Sequence, residues 1–166
     1  MRDEAPRRRD PLGLLSGGEG VIIGTVVCGA VIATSAGKAT NVAQLVAAIV
    51  ASVTVYALAH VHAEVVGSAV SHGRHPREAL PIAVRRAVPM LLASLVPLLV
   101  LVVTAAFGAT LRTSGLVALL ATTGLLGLYS FLAAQRRGLD LVPGIISALA
   151  GCGLGVLLIL LKTLLK

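Results

Sequence analysis

Residues 87–111 read AVPMLLASLVPLLVLVVTAAFGATL, a run of 25 residues without a single charge. A helix that spans the hydrocarbon core needs about 20 mainly apolar residues. Four further uncharged runs flank this one, at Gly20–Gly37, Ala39–Ala59, Thr113–Gln135 and Leu141–Leu161. The first is the shortest. Lipid offers backbone amides no water, so a spanning run must satisfy its hydrogen bonds within itself, as a helix does. None of the runs shows the alternating polarity of a membrane barrel strand. The expected fold is therefore all-α: a polytopic integral membrane bundle of five transmembrane helices. They are placed at about 18–37, 41–70, 84–111, 115–135 and 140–162, in a single membrane domain over 17–166. Residues 1–16 are rich in Arg, Asp and Pro and read as a flexible basic cytoplasmic tail.

Composition agrees with this reading. The chain is 57% hydrophobic, its mean hydropathy is +0.96 and only 13% of its residues are charged. Soluble domains carry about 25% charge, and a small globule could not hide so much apolar surface from water. The net charge of +7 is not a nucleic-acid footprint, because the basic residues flank apolar runs and aromatics make up only 2% of the chain. Cys28 and Cys152 lie inside apolar runs with no paired spacing, so neither zinc nor a disulfide framework is indicated.

Lys and Arg placement gives the orientation. With the N-terminus inside, ten cations are cytoplasmic: Arg2, Arg7, Arg8, Arg9, Arg74, Arg77, Arg85, Arg86, Arg136 and Arg137. Four are outside: Lys38, Arg112, Lys162 and Lys166. The topology is thus N-in/C-out. The basic start followed by an apolar run also resembles a signal peptide. However, Ala33-Thr34-Ser35-Ala36 makes a poor cleavage site, and four more spans follow. The Ala, Val, Leu, Gly and Arg bias points to a bacterial protein of the plasma (inner) membrane.

The connectors carry local signals. Asn41 followed by Gln44 forms a capping box. Arg112-Thr113-Ser114-Gly115 reads as a tight hairpin turn, and Asp140 is placed to cap the fifth helix. The segment Ser71–Arg86 has two readings, a polar lead-in to the third helix or a short amphipathic helix on the inner leaflet. Pro97, deep in the third run, should kink it.

Helices approach closely in lipid through small residues. Gly20 and Gly24 lie four apart on the first helix, as do Gly151 and Gly155 on the fifth. These two helices are the expected close-packed pair or oligomer contact.

Chemistry concentrates in one stretch. His60, His62, His72 and His75 are the only histidines, and Glu64 is the only acid with apolar helix on both sides. At about 100° per residue, positions four apart share a face. Tyr56, His60 and Glu64 form such a series, while His62 points the other way. His60 and Glu64 fall near the inner edge of the hydrocarbon. Three roles are open to them: a polar anchor at the interface, a site for a proton or small cation, or an enzyme site. The metal candidates are His60, Glu64, His72 and His75, short of a zinc set unless another subunit contributes. No nucleotide loop, zinc-protease or hydrolase motif occurs. No cofactor is expected, haem included, because histidines are confined to one hairpin. The leading function is binding or transport of a proton or small cation through His60 and Glu64. The alternative is a non-enzymatic scaffold or accessory subunit. Expected partners are membrane lipids and either copies of itself, as a homo-oligomer, or another membrane protein, with no nucleic acid.

Overall fold

A computed structural model describes residues 18–72, 75–136, 138 and 140–164. The expected tail at 1–16 lies outside the described residues, as do Arg74, Arg137, Lys166 and the side chain of His72. Every element in the described residues is helical. The order is α1 (Glu19–Ser35), α2 (Val42–His72), α3 (Pro76–Ala106), α4 (Leu111–Arg136) and α5 (Leu141–Leu164). Four of these, α2 to α5, are long and apolar enough to cross a membrane; α1 is shorter, at 17 residues.

Helix boundaries follow local chemistry. At the start of α2, Asn41 Oδ1 accepts the Gln44 amide at 2.8 Å, and Gln44 Oε1 accepts the Thr40 amide at 2.9 Å. This is the reciprocal capping read from the sequence, reaching one residue further back. The α3–α4 connection differs from expectation. The chain turns at Phe107–Thr110, where Gly108 takes φ +84, and not at Arg112–Gly115. Thr110 Oγ1 accepts the Thr113 amide at 3.3 Å and so caps α4 early. Gly115 is then a helix-interior residue whose missing side chain admits Ala36, the residue that caps the end of α1.

The third helix also starts earlier than expected. Pro76 occupies its first turn, where a missing N–H costs nothing, and the His75 imidazole accepts the Arg77 amide at 3.4 Å. Residues 76–86 therefore continue into α3 instead of forming a separate surface helix. At 1.5 Å per residue, 31-residue helices are about 46 Å long, longer than the ~30 Å core. The surplus of α2 and α3 projects beyond one end of the bundle as a helical hairpin.

The bundle is built around α1. This helix packs against all four others, while α2, α3, α4 and α5 follow one another around it. Among the described residues no extensive packing joins α2 to α5, so the ring is open on that side. A central helix must be apolar all round, and α1 is. Its neighbours meet it in a shared core of Cys28, Ile32, Leu45, Ile49, Leu101 and Leu119. Two buried threonine hydroxyls bond within their own helices: Thr25 donates to the Val21 carbonyl at 2.8 Å and Thr122 to the Ala118 carbonyl at 2.8 Å.

Glycines set the closest approaches; Gly29 of α1 meets Leu158 of α5, but Gly20, Gly24, Gly151 and Gly155 do not face one another. Gly20 faces the Arg86 carbonyl of α3, and a Cβ on Gly24 would fall on the Met90 carbonyl. On α5, Gly151 faces Leu126 and Ser130 of α4, and Gly155 faces Thr123. Each glycine helix thus seats against a third-party backbone. Opposing rows of glycine are not needed when one small residue already admits a carbonyl.

Replacing Gly24 by Val should cost about 1–3 kcal/mol, since neither backbone can yield easily. Gly153→Val is the control, because a side chain there meets nothing within 4 Å; its change should stay within about 0.5 kcal/mol. Unfolding in detergent micelles measures both.

Candidate functional site

The inward face of α2 is fixed by Leu45, Ile49, Val53 and Ala57, all buried. Projected from Ala57 at about 100° per residue, Glu64 lies within about 20° of the same direction. The apolar stripe that docks α2 therefore delivers a carboxylate to the bundle where the stripe runs out. Tyr56 lies about 100° away from that direction. It is exposed, in a shallow groove with Ser52 and Ala59, and does not join His60 and Glu64.

Glu64 Oε1 accepts a hydrogen bond from Nη1 of Arg86, on α3. The other carboxylate oxygen, Oε2, stands 4.0 Å from His60 Nε2. That oxygen is buried and has no hydrogen-bond partner among the described residues. The carboxylate side chain is 19% exposed and the Arg86 side chain 68%. The pair forms the wall between two clefts. One, of about 440 Å³, is bounded by Gly18, Glu19, His60, Glu64 and Arg86. The other, of about 390 Å³, lies between Ser68, Ser71 and Ile82. Three elements meet here: the start of α1, the outer third of α2 and the first turns of α3.

No known family, curated protein or solved structure matches the chain. The site is therefore read from its own geometry.

That geometry separates the sequence candidates. His60 and Glu64 are neighbours. His75 is an exposed residue occupied in capping α3, and His62 is exposed on the other side of α2. Among the described residues, no three His, Cys, Asp or Glu side chains converge on a point where a metal ion could sit. Arg86 also fills the position a cation would take at Glu64 Oε1. The arrangement suits a proton better: a buried acceptor oxygen, an imidazole at one side and a guanidinium holding the carboxylate in place.

Two participants were not singled out in the sequence, Arg86 and Glu19. Arg86 looked like one anchoring cation among several. Yet α2 and α3 form an antiparallel pair joined at about residue 74, and reflecting Glu64 across that connection reaches about Val84–Arg86. Hairpin register was the available signal. Glu19 begins α1, where a carboxylate is favoured by the helix dipole. Only the packing of α1 against α3 brings it to the cleft.

Removing Arg86 leaves the Glu64 carboxylate without its partner. Arg86→Gln should therefore lower the melting temperature more than the double variant Glu64→Gln/Arg86→Gln does. A double-mutant cycle should give a coupling of about 1 kcal/mol for this part-exposed pair.

Proposed function

We propose that the protein is a non-enzymatic, five-span protein of the bacterial inner membrane, N-in/C-out, that exchanges a proton at His60 and Glu64. The observation that carries this reading is the buried, unbonded Oε2 of Glu64 facing the imidazole of His60. The charge balance supports it. The cleft holds two carboxylates, Glu19 and Glu64, against one guanidinium, Arg86. One proton on His60 brings the set to neutrality. Arg86 positions Glu64, and His60 and the Oε2 atom of Glu64 are the two places where the proton can reside. A small cation is the less favoured cargo, because Arg86 already occupies the carboxylate.

The five-span topology draws support from the placement of α1. Gly20 meets α3 at Arg86, and Ala36 meets α4 at Gly115, so α1 runs alongside its neighbours over most of the bundle. Its 17 residues measure about 26 Å, close to the thickness of the core. On this reading the Glu64–Arg86 pair faces the cytoplasm and the projecting α2–α3 hairpin stands in it.

Transport is distinct from proton binding. Within one copy, α1 and its packed core fill the space where a path would run. A path across the membrane would run between copies of a homo-oligomer, reached from the cleft. The packed interior favours a second reading, a scaffold or accessory subunit of a membrane complex, in which His60 and Glu64 only stabilise the hairpin.

Proton uptake into proteoliposomes under an imposed pH step distinguishes these. Wild type should exceed Glu64→Gln by at least about tenfold, and His60→Gln should resemble Glu64→Gln. Equal flux in all three, matching empty vesicles, would remove the proton role and leave the scaffold. Topology is checked with reporters fused after Lys166. A reporter active only in the cytoplasm should be silent there, and activity would refute the odd number of spans.

A further inference from the structure

Among the described residues, the charged side chains at the end of the bundle opposite Glu64 are cations. The chain has seven acidic residues: three before the first helix, then Glu19, Glu64, Glu78 and Asp140. None lies in the segments that form this other end, namely the α1–α2 turn, the α3–α4 turn and the end of α5. A cleft of about 550 Å³ opens there, and three cations from three elements line it: Lys38 of the α1–α2 turn, Arg112 of α4 and Lys162 of α5. Thr34 and Thr40 add hydroxyls, and Ala33, Ala36 and Leu111 give it an apolar wall. Lys38 and Arg112 are exposed, while Lys162 is half-buried. Lys38 and Arg112 stand exposed at the same cleft, and an anion there would meet both charges.

The neighbouring surface says which anion. The ring of helices is open between α2 and α5, and α1 shows a half-exposed stripe there: Ile23, Val26, Ala30 and then Thr34. Thr34 belongs both to that stripe and to the cleft. An apolar groove at membrane depth therefore runs directly into a basic cleft at the membrane surface. A free phosphate would use the cleft alone. A phospholipid would use both, with its phosphate among the cations and an acyl chain along α1.

We propose that the Lys38–Arg112–Lys162 cleft is a binding site for an anionic glycerophospholipid, whose acyl chain fills the opening between α2 and α5. The lipid would complete the ring of helices around α1. The site is independent of the His60–Glu64 reading, lying at the other end of the molecule.

The full chain is released from nanodiscs made of equal phosphatidylglycerol and phosphatidylcholine, and bound lipid is counted by native mass spectrometry. Wild type should retain phosphatidylglycerol about tenfold over phosphatidylcholine. In K38Q/R112Q that preference should fall about five- to tenfold, towards equal retention of the two lipids, while R77Q/R85Q, which removes two exposed charges at the other end, should keep it. The single variants K38Q and R112Q change exposed side chains and should each show a part of the loss. Equal retention of the two lipids by wild type would overturn the proposal with no variant needed. So would equal losses in K38Q/R112Q and R77Q/R85Q, which would mark a diffuse charge effect. Displacement of the lipid by millimolar inorganic phosphate would overturn the lipid assignment in favour of a free anion.

Discussion

The position of α1 rests on one close approach. A glycine at position 24 lets the backbone of α3 come so near, at the Met90 carbonyl, that any side chain would block it. Helices in lipid gain little from burying apolar surface against each other, since lipid is equally apolar; contact between backbones supplies what burial does not. With α1 seated against α3, the remaining helices have a central post to surround. The polar groups at both ends follow from that seating. Glu19 and Gly20 reach Arg86 at one end, and the α1–α2 turn brings Lys38 beside Arg112 at the other.

The ends are chemically unlike. At one, acid and base are mixed, and Glu64 is held by Arg86 with its second oxygen buried beside His60. At the other, the charged side chains among the described residues are cations. Between them lies a close-packed interior in which the Thr25 and Thr122 hydroxyls are bonded to their own helices. The protein is thus two polar sites separated by an apolar plug. The role proposed for the first is proton exchange, and for the second the binding of an anionic lipid. Both clefts are bounded by α1, so a shift of this helix would be felt at each.

Much of the architecture was legible because the membrane simplifies it. Five uncharged runs separated by charge or turn residues give five helices, and Asn41 with Gln44 marks a helix start that the structure shows bonded as expected. Errors fell where two local signals competed. Gly115 sits in a polar tetrapeptide that resembles a turn, but Gly108 took the left-handed conformation and Thr110 the cap, freeing Gly115 for packing. Likewise Pro76 with His75 in front was a complete helix start, and the expected boundary near residue 84 gave too much weight to the charges that follow it.

The sequence by itself determined the helical class, the number of helices and the pairing of His60 with Glu64, because each depends on spacing along one chain segment. Hydrocarbon permits little else for a long uncharged run, and an i, i+4 pair is a matter of helix geometry. The tertiary structure alone decided what stands opposite. It gave Arg86 to Glu64, turned Tyr56 away, set Gly20 and Gly24 of α1 against α3 and Gly151 and Gly155 of α5 against α4, and gathered Lys38, Arg112 and Lys162 in one cleft. These contacts join residues far apart in the chain, through helix rotation and depth. Small-residue faces allow many rotations, and only the packed bundle selects one.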